Sequence, residues 1–298
     1  FRMQRSPEMA NRRNVGGYRL TLTAGIVGSS DYVKGTIVTD TADKDREYLL
    51  REARTGGERD LAMIKAEADL LRLTIGNKFI YHLLATDDDE RPTALVVQYY
   101  GRSLYREPRL DQTDKEFDFN KLWRRMADLC DAVHFIHGVQ FIVVGLSPVT
   151  VYVRDDDSLV VGDLQAAVRK GTSKLEACEA LKGRSNDPNP PVEEILCRAP
   201  ELVTAEDGRI VNEACDVWSL GCIAYSLRWP VTDMYNQMQE YGQELGIFFP
   251  AQRDSSPEYE DLVRMVEGMT KVNPAERRTV KSVYEEAKVL AEKVKVEK

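Results

Sequence analysis

Hydrophobic and polar residues alternate along much of the first hundred positions of the chain, which is the pattern of half-buried β-strands. Five runs are strand candidates, and they cover residues 19–28, 31–39, 47–50, 80–84 and 94–99. From Glu58 to Leu73, apolar residues recur at helical spacing, and Gly76-Asn77 supplies a stop signal. This part of the chain therefore predicts a small antiparallel sheet with one helix packed against it.

After Gly101 the apolar residues change to the spacing of helices. The predicted helices cover residues 120–136, 213–227, 233–245, 258–269 and 280–293. A cluster of Gly, Asn and Pro at 183–191 predicts an exposed, irregular loop. The whole pattern predicts an α+β protein with an N-terminal extension at 1–17, a small sheet-containing lobe at 18–100 and a larger, mainly helical lobe at 101–298.

Net charge and hydrophobic content indicate which kinds of partner the protein is not expected to bind. The chain has 298 residues, of which 43% are hydrophobic, enough for a sizeable core, and its net charge is −8. A nucleic-acid-binding surface is usually basic, so we expect no nucleic-acid partner. No apolar run approaches the roughly 20 residues of a membrane helix, so we expect no transmembrane segment in this chain.

The cysteines give no sign of a metal site. There is no CxxC pair, and no metal-ligand spacing with the three histidines, among Cys130, Cys178, Cys197, Cys215 and Cys222. Zinc is therefore not expected. An odd number of cysteines fits a reduced protein, but it also fits a secreted protein with one or two disulfides and a free thiol, so the redox state stays open.

Three motifs in the second half follow one another in the order found in the C-terminal lobe of eukaryotic protein kinases. They are Ala199-Pro200-Glu201, Asp216-Val217-Trp218-Ser219-Leu220-Gly221 and Asn273-Pro274-Ala275-Glu276-Arg277. The chain therefore resembles a protein kinase over nearly its whole length, which implies a bilobal fold with an extended activation segment at 163–201. The resemblance also implies that Glu201 pairs with Arg277, and that Asp216, with Trp218 beside it in the motif, holds the backbone of the catalytic loop.

The catalytic loop of kinases has the pattern H-R-D-L-x-x-x-N, and Leu146 and Pro148 set its register here. The four polar positions of the pattern are replaced by Val143, Val144, Gly145 and Thr150, and Ser147 replaces the Lys that often follows the Leu. Gly145 has no side chain to accept the proton of a substrate hydroxyl, so phosphotransfer should collapse. Thr150 is a weaker magnesium ligand than the usual Asn, and Val144 cannot pair with a phosphorylated activation loop. We therefore expect no catalytic residue in this loop.

Asp163 stands at the one metal-binding position of kinases where this chain has the usual residue. It begins Asp-Leu-Gln where kinases have Asp-Phe-Gly. It could bind a metal–nucleotide complex, but a metal site needs several hard ligands, so a structural role in a tight turn is favoured. The acidic run at 155–157 lacks the spacing, the Gly and the terminal Glu of a calcium loop, and it predicts a solvated turn.

The phosphate-binding loop of kinases is degraded as well. Residues 26–33 lie where kinases have Gly-x-Gly-x-x-Gly-x-Val, and of the three glycines only Gly28 is kept, so no phosphate cradle is expected. Arg51 falls at the position of the strand lysine that pairs with a helix glutamate, which Glu67 resembles. Two other cations are rivals for that position, Lys44 and Lys65.

A kinase-like C-terminal lobe without a Gly-rich loop resembles the with-no-Gly-loop group of secreted apicomplexan kinases and pseudokinases. The loss of the catalytic Asp resembles an inactive member of that group. The resemblance implies secretion into the parasitophorous vacuole and association with the cyst wall, with a cytoplasmic location as the alternative. Secretion would make some cysteines disulfide-bonded, with Cys178 and Cys197 as one candidate pair.

We therefore expect a catalytically inactive pseudokinase that binds a protein partner as a scaffold or regulator. ATP and magnesium binding should be weak or absent, and no cofactor is expected. The rival hypothesis is a weakly active, atypical kinase or another nucleotide-dependent transferase. Such an enzyme would use Asp163 for metal and one of the aspartates at 155–157 as its base.

Overall fold

The computed structural model describes residues 12–26, 33–107, 117–182, 191–203, 209–230, 249 and 256–296. These residues form two compact units. The first contains most residues before Tyr100, and the second contains nearly all later residues together with Asn77–Ile80. The predicted α+β class is confirmed, because the first unit contains an antiparallel sheet and a helix while the second is mainly helical.

A six-stranded antiparallel sheet forms the base of the first unit. Its strands are β1 (Arg12–Val15), β2 (Tyr18–Ile26), β3 (Val33–Asp40), β4 (Glu47–Ala53), β5 (Leu83–Thr86) and β6 (Ala94–Gln98). Their spatial order is β1-β2-β3-β4-β6-β5. Alternate positions of these strands supply a buried apolar cluster made of Val15, Leu20, Val38, Tyr48, Leu50, Ala94 and Val96. Helix α1 (Glu58–Leu73) packs against the sheet, with the bounds that the sequence predicts.

Two strands differ from the sequence prediction. Strand β1 lies within the segment treated as an extension and pairs with β2 across a turn at Gly16, where a φ of +55° favours glycine. Its short, polar sequence carries no alternation that could predict it. The fourth predicted strand begins at Leu83 and not at residue 80, because Asn77–Ile80 belongs to the second unit, where Asn77 Nδ2 donates to Asp131 at 2.8 Å.

The second unit is mainly helical. Its helices are α2 (Phe119–Gly138), α3 (Lys174–Lys182), α4 (Val192–Leu196), α5 (Pro200–Val203), α6 (Ala214–Ser226), α7 (Pro257–Met269) and α8 (Val280–Val296). Its short strands are β7 (Arg102–Ser103), β8 (Phe141–Ile142), β9 (Val151–Val153), β10 (Leu159–Val161) and β11 (Val168–Arg169). Helix α2 contacts α6, α8 and β10 and buries one complete face, so it lies at the centre of this core.

Four of the five helices predicted for the second half are confirmed as α2, α6, α7 and α8. The predicted helix at 233–245, and residues 183–190 of the predicted loop, lie outside the described residues. Strands of two residues, such as β7 and β11, are too short to produce a periodic pattern and were not predicted. None of the helices in the described ranges is both long and apolar enough to cross a membrane.

Candidate functional site

The predicted catalytic loop, residues 143–150, connects β8 to β9 in the second unit. All of it is buried except Val149, which is half-buried. The N–H of Gly145 donates to the carbonyl of Val143 at 2.6 Å, and the N–H of Thr150 donates to the carbonyl of Ser147 at 3.0 Å. The loop is therefore an ordered turn that is held in part by hydrogen bonds within its own backbone.

Asp216, in the first turn of α6, holds this loop from one side. Its carboxylate is fully buried and accepts the backbone N–H groups of Val143 and Val144, each at 2.8 Å. The Nε2 atom of His137, at the end of α2, lies 2.8 Å from the same carboxylate. Three polar contacts offset the desolvation of a buried carboxylate, and they tie the loop to two helices.

Val144 has an unfavourable backbone conformation. Its φ is +61°, in the left-handed region that β-branched residues rarely adopt. Such a conformation costs about 1–3 kcal/mol and persists only where the surroundings enforce it. The hydrogen bond from Val144 N–H to Asp216 supplies that enforcement. The loop thus keeps a defined backbone shape although its own side chains carry no charge.

Glu201 and Arg277 form a bidentate ion pair. The Nη1 and Nη2 atoms of Arg277 donate to the two carboxylate oxygens of Glu201 at 2.6 and 2.7 Å. The Arg277 side chain is fully buried, and it also donates to the carbonyls of Lys271 and Ala214 at 2.7 and 2.8 Å. Its guanidinium lies 5.1 Å from the ring centre of buried Trp218. The sequence predicted structural roles for Glu201, Arg277, Asp216 and Trp218. These residues lie in two networks, one around Asp216 and one around Arg277, and both networks include residues of α6.

The side of the loop where a kinase does chemistry contains only neutral groups. Gly145 has no side chain at the position of the proton acceptor. The Thr150 hydroxyl accepts the N–H of Ser147 at 3.0 Å and lies within donor distance of the carbonyls of Ser147 and Gly145, so its hydrogen-bonding capacity is used within the loop. The Ser147 hydroxyl is buried and has no hydrogen-bond partner among the described residues. Residues 143–150 therefore contain no ionisable side chain.

Asp163 follows β10 and precedes a single 3-10 turn at Leu164–Ala166. It is buried and adopts a left-handed conformation with φ 53° and ψ 54°. The N–H of Gly162, the residue before it, donates to the carbonyl of Thr150 at 2.9 Å. Asp163 therefore lies next in sequence to a residue that is bonded directly to the loop, at the end of the hairpin formed by β9 and β10 that is nearest to Thr150.

The acidic run at 155–157 lies at the opposite end of that hairpin. Strands β9 and β10 pair with Leu159 opposite Val153 and Val161 opposite Val151, so their turn lies away from Gly162. A hydrogen bond from Ser158 lowers the pKa of Asp156, and one from Lys121 lowers the pKa of Asp157. Asp156 and Asp157 are therefore bonded to these neighbours, and the register places the whole run at the end of the hairpin away from Asp163. No group of three metal-ligating side chains occurs in the part of the chain that the structure describes.

Arg51 and Glu67 form a buried ion pair in the first unit. Arg51 Nε donates to Glu67 Oε2 at 2.9 Å, and neither side chain has any exposed surface. The hydroxyl of buried Tyr81 donates to the other oxygen of Glu67. Of the rival cations, Lys65 is exposed and pairs with Asp69, and Lys44 is exposed as well. Arg51 is therefore the cation that Glu67 binds, whereas Gly28 lies outside the described residues.

The candidate disulfide between Cys178 and Cys197 is wrong, because all five cysteines are free and buried. The thiol of Cys178 donates to the carbonyl of Leu202 at 3.1 Å. A hydrogen bond with Cys222, together with burial, raises the pKa of Cys197 well above its usual value. Burial raises the pKa of Cys130 to about 12. Thiols that remain protonated at neutral pH are poor nucleophiles, so these cysteines act as core residues.

Sequence reasoning missed two residues of these networks, His137 and Tyr81. His137 lies one residue beyond the predicted end of α2, and its partner Asp216 is distant in the sequence. Tyr81 lies within the strand predicted at 80–84, but the observed strand β5 begins two residues after it, at Leu83. Neither residue belongs to a motif, so no local signal could have assigned these contacts.

No protein-family model matches the chain. The chain is 22% identical to a probable serine/threonine-protein kinase of Dictyostelium discoideum over 93% of its own length, which is 25% of that protein. It is 24% identical to serine/threonine-protein kinase 16 of Rattus norvegicus, with 77% of each protein covered. It is 23% identical to serine/threonine-protein kinase 17A of Oryctolagus cuniculus over 66% of the chain, which is 47% of that protein.

These similarities extend over most of the chain and agree with the sheet, the single helix and the mainly helical second unit. The chain spans only a quarter of the Dictyostelium protein and about half of the rabbit protein. The chain is thus distantly similar to serine/threonine protein kinases, and its α+β architecture is consistent with a protein-kinase-like fold.

Proposed function

We propose that the protein is a catalytically inactive pseudokinase that acts by binding a protein partner as a scaffold or regulator. The observation that carries the proposal is the catalytic loop, whose backbone is held by Asp216 while residues 143–150 offer no proton acceptor. In kinases the aspartate of this loop orients the substrate hydroxyl and accepts its proton. Gly145 occupies that position, so phosphotransfer lacks its base.

The metal site of a kinase is equally incomplete. Magnesium prefers several oxygen ligands in octahedral geometry, usually carboxylates together with phosphate oxygens and water. The oxygen of Thr150 is committed to the Ser147 backbone, which leaves Asp163 as the candidate ligand in this region. A single carboxylate supports the expectation that ATP and magnesium bind weakly or not at all.

One observation favours a second candidate, a weakly active kinase or another nucleotide-dependent transferase. The Arg51–Glu67 pair is retained in the first unit, and in active kinases the equivalent ion pair positions the nucleotide phosphates. Asp163 would then bind the metal. The missing base weighs against this candidate. So does the position of residues 155–157 at the far end of the hairpin from Asp163, where Asp156 and Asp157 are bonded to other residues.

A thermal-shift titration with ATP and magnesium separates the two candidates. A ligand that binds only the native state adds about 2.7 kcal/mol of stability at 100 times its dissociation constant, which is easily seen. We expect no magnesium-dependent shift. The matched variants are Asp163→Asn and Asp155→Asn, which remove one carboxylate each at the two ends of the same hairpin. A shift that disappears in the first variant and persists in the second would show that Asp163 binds the metal–nucleotide complex.

A phosphotransfer assay tests the loss of catalysis directly. The purified chain, given ATP, magnesium and a generic protein substrate, should transfer no more phosphate than Asp163→Asn. Transfer that is lost in Asp163→Asn but retained in Asp155→Asn would overturn the proposal, because contaminating kinases would be present equally in both preparations.

Membership of the with-no-Gly-loop group of apicomplexan secreted proteins, with a location in the parasitophorous vacuole or cyst wall, is part of the same proposal. It is supported by the sequence at 26–33, which keeps one of three phosphate-loop glycines, together with Gly145. Microscopy of the epitope-tagged protein in its own cell tests the location. A cytoplasmic signal would exclude secretion and leave the catalytic proposal intact.

A further inference from the structure

A pocket of about 330 Å³ lies in the second unit, away from the catalytic loop. Four elements line it, namely the segment at Lys78–Phe79, helix α2, the turn between β9 and β10, and the last turns of α8. The volume is about ten times the share of one water molecule in the liquid, so the pocket is large enough for side chains of a ligand.

The charge of this pocket is opposite to that of the whole chain. Its basic lining residues are Lys78, Lys121, Arg124, Arg125, Arg154 and Lys288. Its acidic lining residues are Asp128, Asp156, Asp157 and Glu292. Six positive against four negative charges give a local balance of +2, whereas the chain as a whole carries −8. A concave basic surface on an acidic protein concentrates the local potential and attracts anions.

Three of the basic side chains are available to a ligand. Lys121 and Arg125 are engaged, because they donate to Asp157 at 2.8 and 3.3 Å, and Arg125 also pairs with Glu107 at 2.6 Å. By contrast, three exposed cations form no ion pair with any residue in the described ranges, and these are Lys78, Arg124 and Lys288. They come from three different elements around one cavity.

The acidic lining is partly neutralised. Asp156 is bonded to the backbone and hydroxyl of Ser158, and Asp157 is paired with the lysine and arginine named above. Asp128 faces Lys78, Arg154 and Asp156, and burial raises its pKa to about 6. Its negative charge is therefore reduced in mildly acidic solution. Asp156 and Glu292 are the lining carboxylates that are exposed and without an ion pair within the described chain.

We propose that this pocket is a docking site for an acidic peptide segment of the partner protein. The proposal rests on the proposed function, because it names the chemistry of the partner that the pseudokinase binds. Exposed lysine and arginine side chains on three elements suit several carboxylates along an extended chain better than one small anion. Charge complementarity between such surfaces increases the rate and the specificity of association.

Fluorescence anisotropy with the full chain tests the proposal. The probe is a fluorescein-labelled octaglutamate peptide at low salt, with a neutral Gly-Ser peptide of equal length as control. We expect saturable binding of octaglutamate that added salt weakens, and no binding of the neutral peptide. Absence of octaglutamate binding would overturn the proposal. Tighter binding of a single-stranded oligonucleotide than of octaglutamate would also overturn it, because the site would then be selective for a nucleic acid.

Matched charge-reversal variants locate the site. The pocket variant is Lys78→Glu/Arg124→Glu/Lys288→Glu, and the control is Lys44→Glu/Lys271→Glu/Lys281→Glu, which changes the net charge equally at exposed positions elsewhere. The pocket variant should weaken binding by at least about tenfold, and the control by about twofold or less. Equal weakening in both would overturn the assignment, and circular dichroism verifies that both variants fold.

The result of the peptide-binding experiment does not depend on whether the protein transfers phosphate. Phosphotransfer by the purified chain would overturn the proposed function without altering the anisotropy result. Loss of peptide binding would overturn this docking site and leave the absence of phosphotransfer as it stands.

Discussion

The two sides of the loop at 143–150 differ sharply in chemistry. On one side, Asp216 and His137 form a buried polar network that holds the backbone of Val143 and Val144. On the other side, where a kinase has its base and a metal ligand, the chain has Gly145 and Thr150. The groups that hold the loop and the groups that react there in kinases are therefore separable, because this chain has the first set, whereas Gly145 and Thr150 stand at the positions of the second.

The separation follows from energetics. Removing Asp216 would leave two backbone N–H groups and one imidazole without their acceptor in the interior, which costs stability. Losing a carboxylate at Gly145 costs no such penalty, because a catalytic carboxylate serves the substrate and not the fold. A pseudokinase of the kind proposed above would therefore have a physical reason to keep the first set and none to keep the second.

The largest expected change in stability comes from weakening the contacts between Asp216 and the loop. Asp216→Asn replaces one of the two carboxylate oxygens with an N–H₂ group, which cannot accept the contacts that this oxygen accepts. We expect the free energy of unfolding to fall by about 3 kcal/mol or more. Urea unfolding followed by tryptophan fluorescence measures it, because all three tryptophans lie in the second unit.

The control for this variant is Asp155→Asn, an exposed aspartate in the acidic turn, which should change stability by less than about 0.5 kcal/mol. Similar losses in the two variants would mean that apolar packing, and not Asp216, holds the loop.

A smaller loss of stability is expected from changing Thr150, whose hydroxyl supports the backbone of the loop. Thr150→Val removes the hydroxyl that accepts the buried N–H of Ser147, and this should cost about 1–3 kcal/mol. Thr150→Ser keeps the hydroxyl and should cost less. Chemical denaturation of both variants tests the difference, and equal costs would show that the methyl group, not the hydroxyl, supports the loop.

Asp128 is a second partly buried carboxylate, but it has fewer hydrogen-bond partners than Asp216. Asp128 accepts one backbone N–H, from Leu159 at 3.1 Å, and burial raises its pKa from 3.8 to about 6. Between these two values the native state binds more protons than the unfolded state, so this contribution to stability is complete below pH 3.8 and is lost as the pH rises through 6.

Asp128→Asn removes that pH dependence. At pH 7.5 the variant should be more stable than the unmodified protein by about 1–2 kcal/mol, and near pH 3.5 the two should agree. Thermal unfolding at the two pH values measures the difference. A variant that is less stable at pH 7.5 would show that the carboxylate has more stabilising contacts than Leu159 provides.

The smallest effect is expected at Ser147, whose buried hydroxyl has no hydrogen-bond partner in the described part of the chain. Ser147→Ala removes a buried polar group that gains nothing, so the free energy of unfolding should stay within about 0.5 kcal/mol or rise by up to about 1 kcal/mol. A loss larger than about 1 kcal/mol, measured by urea unfolding, would contradict this interpretation.

The sequence predicted the elements whose signals are local. The helical spacing of apolar residues located α1 with its observed bounds, and the motif around Leu146 and Pro148 placed the loop between β8 and β9. The Ala-Pro-Glu motif paired Glu201 with Arg277 because the family pattern carries a contact that spacing does not. Patterns repeated over a dozen residues, and motifs with a fixed partner, are therefore informative.

Contacts between distant positions without a motif were not predictable. His137 meets Asp216, and Tyr81 meets Glu67, only because the core brings their elements together. The cysteine pair failed for the same reason, since nothing in the spacing of Cys178 and Cys197 indicates whether the two thiols meet. Two-residue strands such as β7 and β11 gain their structure from neighbours and have no periodic signal of their own.

The basic pocket also has a kinetic consequence. A protein with a net charge of −8 repels a polyanion over most of its surface, and the repulsion falls off over a Debye length of about 8–10 Å at physiological salt. The cations around the pocket would create one attractive direction of approach, so an acidic partner would be oriented before contact. Ionic strength should then control the encounter rate more strongly than the lifetime of the complex.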